Sequence, residues 1–199
     1  MLDFLSVQSA ANMTDPATRD ATYEDLLALP EHQVGEILSG NLYSHPRPAP
    51  RHARAHSSIT GTLWGPFDHG RGGPGGWWII DEPELHLGAD VIVPDIAGWR
   101  RERMPSLPDT AWFEQAPDWA CEILSPSTAN TDRAIKMPIY AREAVEHLWL
   151  VDPDARTLEN YRLQDHGRWL LLTTLKDNDP VTQPPFDAIT FDLNTLWAD

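Results

Sequence analysis

The chain has 199 residues, 41% of them hydrophobic, which is enough for one domain with an ample core. Its 15 Lys and Arg stand against 30 Asp and Glu, a formal net charge of -15, so bulk charge will not attract nucleic acid and any phosphate affinity must come from local cations. The single cysteine, Cys121, excludes an intrachain disulfide and a cysteine-based zinc motif, and no apolar run approaches the roughly 18 residues a membrane span requires.

Residues 1–20 lack the basic start and long apolar segment of a secretion signal and read as a flexible tail. That leaves 21–199 as one domain, with the cytoplasm as its expected compartment. Thr22-Tyr23-Glu24-Asp25 has the form of a capping box and predicts a short helix through Leu29, ended by Pro30. GEILSGNLYS alternates on either side of Ser39-Gly40-Asn41 and predicts a hairpin, with Glu36 near its start as an exposed strand residue. Pro50 suits a first helical position, and Ala55, Ile59 and Leu63 follow at four-residue steps with His52 and His56 on the same side. The histidines come without the glutamate of a metalloprotease helix, so zinc is not expected. GRGGPGG is a turn, not a phosphate loop, because no GK[ST] follows it.

WWIIDEPELHLGADVIVPD reads as strand, turn and strand, with Glu84 and His86 beside any site there. The stretch VIVPDIAGW reads as one strand carrying Asp95, with Val93, Asp95 and Ala97 on one side. A polar connection follows, and then the strand WACEILS, with Ala120, Glu122 and Leu124 facing one way and Cys121 and Ile123 the other. Thr131 or Asp132 is placed to cap a helix toward Val145, which Pro138 should kink or delay. LWLVD reads as a buried strand. RTLENYRL and RWLLLTTL make a second hairpin around Asp165-His166-Gly167, and ITFDLNTLWA gives a last strand and helical turn. The order of elements predicts an α/β protein with a mixed sheet.

The chemistry centres on Asp95 and Glu122. An acid in an apolar strand is costly unless a donor or cation meets it. Either acid alone can simply cap a neighbouring amide. Two on adjacent strands repel each other, and a hard cation such as Mg2+ or Mn2+ removes that cost. With Lys136 just downstream, the set is the minimal kit of a metal-dependent phosphodiester hydrolase.

Val93-Pro94-Asp95, then Pro117-Asp118-Trp119-Ala120-Cys121-Glu122-Ile123-Leu124-Ser125-Pro126-Ser127-Thr128, then Asp132, Lys136 and Tyr140, resemble the Uma-type restriction endonuclease family of the PD-(D/E)XK superfamily. The resemblance runs from about Thr22 to the C-terminus. It implies a restriction-endonuclease-like core with an added N-terminal hairpin and C-terminal strands. It further implies an endonuclease acting on DNA, with Asp95, Glu122 and the Ile123 carbonyl as metal ligands, Lys136 as the catalytic lysine and Glu36 as a third acid. The superfamily's lysine two residues after the glutamate is replaced by Leu124, and Lys136 on the following helix takes its place.

Two basic groups are the expected DNA contacts: Arg47, Arg51 and Arg54 with His52 among them, and Arg100 and Arg101 after the Asp95 strand. The superfamily's habit of pairing sites, and nine tryptophans of which several flank loops (Trp64, Trp77, Trp78, Trp99 and Trp112), predict a homodimer. Two other readings stand beside the nuclease. One is a catalytically silent nuclease-fold module for DNA or protein binding; the other is a metal-dependent hydrolase of a small phosphorylated molecule.

Overall fold

A computed structural model describes residues 20–46 and 48–197 of the chain. The expected tail at 1–20 therefore falls almost wholly outside the described residues, as does Arg47. Helix α1 (Tyr23–Leu27) opens on the Thr22–Asp25 capping box, with both reciprocal bonds made. Strands β1 (Gln33–Leu38) and β2 (Asn41–Pro46) form the first hairpin. Its turn residues Ser39 and Gly40 both take positive φ, 51° and 78°, the twist that a two-residue hairpin turn requires.

Helix α2 (Pro50–Leu63) starts on Pro50 and buries His52, Ala55, Ile59 and Leu63, the stripe its four-residue spacing predicts. Strands β3 (Trp77–Asp81), β4 (Leu85–Leu87), β5 (Asp90–Ile92), β6 (Ile96–Arg100) and β7 (Trp119–Ile123) follow. After them come α3 (Ala129–Thr131), a π turn over Asp132–Lys136, and α4 (Met137–Arg142). The chain closes with β8 (His147–Asp152), β9 (Thr157–Gln164), β10 (Arg168–Lys176), β11 (Pro180–Val181), β12 (Phe191–Asp192) and a 3₁₀ turn at Leu193–Leu196.

The main sheet has six strands in the order β10-β9-β8-β7-β6-β3, and β7 and β8 are its parallel pair. A parallel pair needs a crossover, and α3 and α4 supply it. A four-stranded sheet, β2-β1-β5-β4, carries the hairpin, and β11-β12 form a third. One face of β7 puts Trp119, Cys121 and Ile123 against α2 and the C-terminal turn, with Trp149 and Phe186 in the same cluster. The other face puts Ala120 and Leu124 with Ile139 and Tyr140 of α4 and Leu38 and Ile92 of the second sheet. The predicted alternation along WACEILS is thus the one observed.

Four expectations are corrected. VIVPDIAGW is not one strand: β5 and β6 belong to different sheets, and Val93-Pro94-Asp95 forms the corner between them. Pro94 has no N–H for a ladder. The Val93 amide instead donates to Glu36, and the Val93 carbonyl accepts from Lys136. The stretch before it holds an extra strand, β4. The helix after β7 starts at Ala129, so neither Thr131 nor Asp132 caps it. Instead the chain widens into a π turn, with the Met137 amide donating to the Asp132 carbonyl, ahead of Pro138, which has no amide to contribute.

The fourth correction concerns tryptophan. Trp77, Trp99, Trp119, Trp149 and Trp197 are buried, and of the nine only Trp64 is exposed. Their large apolar surfaces go into the core, where Trp119 meets Trp149 and Phe186 edge to face. Of the five tryptophans behind the dimer expectation, Trp64 is exposed, Trp78 and Trp112 are half-buried, and Trp77 and Trp99 are in the core; among the described residues an exposed apolar run lies at Leu170, Leu171 and Leu172 on the edge strand β10. No helix among the described residues is long and apolar enough to cross a membrane.

Candidate active site

The corner at Pro94 projects Asp95 toward the end of β7, where the Ile123 amide donates to Asp95 Oδ2 at 2.6 Å. His52 of α2 approaches from the other side, its Nε2 3.2 Å from Asp95 Oδ1. On β7, Glu122 is 2% exposed, and Lys136 Nζ sits 2.8 Å from its Oε1. The same ammonium lies 3.0 Å from Glu36 Oε1 and 3.8 Å from Asp132 Oδ1, and it donates to the Val93 carbonyl at 3.1 Å. The Tyr140 hydroxyl, one turn further along, donates to Glu122.

Asp95, Glu122, Lys136, Asp132 and His52 line one cavity of about 270 Å³, walled by Val34, Pro46, Pro48, Ala49, Val93, Pro94 and the Ser125–Thr128 turn. Glu36 stands behind it, buried at the β1 end and bonded to Lys136 and the Val93 amide, so it is not the exposed strand residue its position implied.

The electrostatics follow from the count of charges. Glu36, Asp95, Glu122 and Asp132 converge on the single ammonium of Lys136, with His52 beside Asp95. Burial pushes the Glu122 carboxyl well above the usual carboxylate range; Lys136 opposes this, while Asp132, Asp95 and Glu36 add to it. Burial would depress Lys136, but Glu122, Glu36 and Asp132 hold its ammonium well above its ordinary value. Asp95 lies below its ordinary value: burial works against ionisation, and His52, the Ile123 amide and Lys136 outweigh it. Tyr140 is pushed up by burial and by Glu122, so it is a hydrogen-bond donor across the working pH range.

A hard cation suits this donor set, which is oxygen-rich and carries more negative than positive charge. Among the described residues no three His, Cys, Asp or Glu side chains are grouped as a ready metal cage. The geometry gives the reason, since Lys136 Nζ stands between Glu36 and Glu122. Mg2+ does not need such a cage, because it keeps several waters and takes one or two carboxylates. Asp95 and Glu122 on the cavity wall meet that lesser requirement.

The basic residues fare differently. Arg100 and Arg101 lie at the far end of β6 from Asp95, roughly 16 Å of strand at about 3.3 Å per residue. Arg100 bonds Asp118 and Glu146 and covers Trp77. Arg101 bonds Asp68 and the Trp77 carbonyl and stacks on Trp78. Both are engaged within the fold, and the structure does not bring them to the site. Arg51 pairs with Asp154 at 3.6 Å, both side chains more than half exposed, and Arg54 donates to the Thr195 carbonyl. Glu84 and His86 bond each other away from the cavity, with Tyr23 and Trp112 against them. Sequence reasoning offered Asp132 as a helix cap and put both Asp132 and Tyr140 in the family motif, but gave neither a role in the site. The helical spacing of Asp132, Lys136 and Tyr140, four residues apart on one face, was the available signal.

Comparisons with known proteins bear on the family and the fold. The family model Uma2, "Putative restriction endonuclease", matches residues 21–194. Among solved structures the chain is similar to one titled a putative nuclease belonging to DUF820, from Anabaena variabilis. The identity is 24%, over 88% of this chain and 97% of that one, with a TM-score of 0.70. At that identity the likeness carries the fold, a mixed α+β architecture around a mixed sheet. No curated protein matches the chain.

Proposed function

Because the chain belongs to the Uma2 restriction endonuclease family, a hydrolytic nuclease family, we propose that it is a Mg2+-dependent endonuclease cutting phosphodiester bonds of DNA through Asp95, Glu122 and Lys136. The observation that carries this reading is the convergence of Asp95, Glu122 and Lys136, from the corner before β6, from β7 and from the π turn, on one cavity. In this reading Asp95 and Glu122 hold the cation, with the Ile123 carbonyl as a further oxygen, and Glu36 and Asp132 set the charge that attracts it. An ion held there would supply Lewis acidity toward the scissile phosphate and the attacking water. Lys136 then turns its ammonium from the carboxylates to the phosphate, where a compact point charge opposes the negative charge that builds during attack. Glu36 and the Val93 carbonyl aim it, and Tyr140 fixes the Glu122 oxygen it leaves.

The net charge of -15 and the engagement of Arg100 and Arg101 within the fold fit weak DNA binding, most visible at low salt. The test is cleavage of a DNA duplex at low salt with Mg2+ or Mn2+, by wild type and by Lys136→Ala. Wild type should cut in a metal-dependent manner, and Lys136→Ala should lose roughly 100-fold or more in turnover, the scale of one positioned electrostatic group. Equal cleavage by the two proteins removes Lys136 from the mechanism. Cleavage of a small phosphodiester in place of DNA identifies the small-molecule hydrolase instead.

A further inference from the structure

We infer that His52 is a positioning residue that orients Asp95 toward the cation, rather than a contact to DNA phosphate. The inference rests on the metal-binding reading of the preceding section. Asp95 sits at a corner with no sheet ladder to hold it, because Val93-Pro94-Asp95 falls between β5 and β6. Its carboxylate is instead gripped from two sides. The Ile123 amide takes Oδ2 at 2.6 Å, and His52 Nε2 lies 3.2 Å from Oδ1. The two contacts come from different layers, one from β7 and one from α2, so together they fix the rotation of the carboxylate as well as its place.

His52 is itself held rigidly. It is 9% exposed, one turn before Ala55 on the stripe that α2 buries against the sheet. Its Nδ1 is buried with no hydrogen-bond partner, and an unsatisfied ring nitrogen costs stability. A residue chosen for packing alone would carry no such penalty at this position, where a leucine would fill the stripe. A phosphate-binding histidine would turn a free nitrogen to the ligand, whereas here Nε2 faces Asp95 and Nδ1 is buried. By contrast His56, the next turn along, pairs with Asp81, more than half of whose side chain is exposed, and is absent from the cavity wall.

Removing a group that orients a metal ligand costs roughly 10- to 100-fold in metal affinity or activity. The experiment is a calorimetric titration of Mn2+ into the full-length protein at fixed pH, with each variant first shown folded by its thermal melt. His52→Ala should weaken Mn2+ binding by roughly 10- to 100-fold, and His52→Gln, whose amide can still donate to Asp95, should restore most of it. His52→Leu, which fills the space without a donor, should resemble His52→Ala and replaces it if the smaller side chain prevents folding. His56→Ala should bind Mn2+ as wild type does. Wild-type affinity in His52→Leu overturns the inference, as does equal weakening in His52→Leu and His52→Gln. If wild type itself binds no Mn2+, the metal reading fails first and the inference falls with it.

Discussion

The two ends of strand β7 bury carboxylates to the same depth and use them in opposite ways. At the N-terminal end Asp118, 2% exposed, meets two guanidinium groups and a backbone amide: Arg103 at 2.8 Å, Arg100 at 3.3 Å and the Arg100 N–H at 2.8 Å. At the C-terminal end Glu122, also 2% exposed, shares one lysine with Glu36 and Asp132, and Asp95 is close by. The first end is balanced and faces no shared cavity with the site. The second holds surplus negative charge around a cavity, which is the charge the proposed cation would offset. Depth of burial is therefore no guide to role. On the proposed reading, the local ratio of charges separates the structural acid from the functional one.

Removing the cation at each end should give the largest contrast. Lys136→Met strands Glu36, Glu122 and Asp132 in a buried site and should cost about 3–5 kcal/mol in the absence of metal. Arg100→Met should cost only about 1 kcal/mol, because Arg100 is part-exposed and Arg103 still serves Asp118. Urea unfolding at neutral pH measures both. Similar losses at the two ends would erase the distinction.

Removing the acid should reverse the order. Asp118→Asn turns an amide toward three donors and should destabilise by about 1–3 kcal/mol. Glu122→Gln relieves repulsion and keeps an acceptor for Lys136 and Tyr140, so at pH 8 it should stabilise the metal-free protein by less than about 1 kcal/mol. The pH dependence fixes the sign. Folded Glu122 keeps its proton to higher pH than unfolded Glu122, so the folded state binds more protons between those two values and stability falls as pH rises. The advantage of Glu122→Gln should therefore grow as pH rises above the ordinary carboxylate range toward the raised value of folded Glu122. Melts across that range that run parallel for the two proteins would show that Glu122 carries no excess charge burden.

Much of this contrast was legible in the sequence, for a local reason. Alternation in WACEILS fixed which side of β7 Glu122 shares, and the apolar stripe of α2 fixed which residues it buries. Asp95 and Glu122 stood out because a charge in an apolar run is conspicuous, whereas Lys136 stood out only through its place in the family motif. The role of Arg100 and Arg101 was not, because their partners Asp118, Glu146 and Asp68 lie 18 to 46 residues away and no periodicity links them. Glu36 looked exposed for a similar reason: its burial comes from β5 and Lys136, both distant in sequence. The break at Pro94 was signalled by the proline, yet the apolar run on both sides hid the change of sheet.

The central claim is that the surplus carboxylates at the Glu122 end form a site for a divalent cation. Thermal melts of wild type and of the Asp95→Ala, Glu122→Ala double variant, each with and without Mn2+, test it most directly. Wild type should gain about 2.7 kcal/mol of stability at a hundredfold excess of Mn2+ over its dissociation constant, and the double variant should gain nothing. An unchanged wild-type melt, or the same gain in the double variant, would contradict the claim.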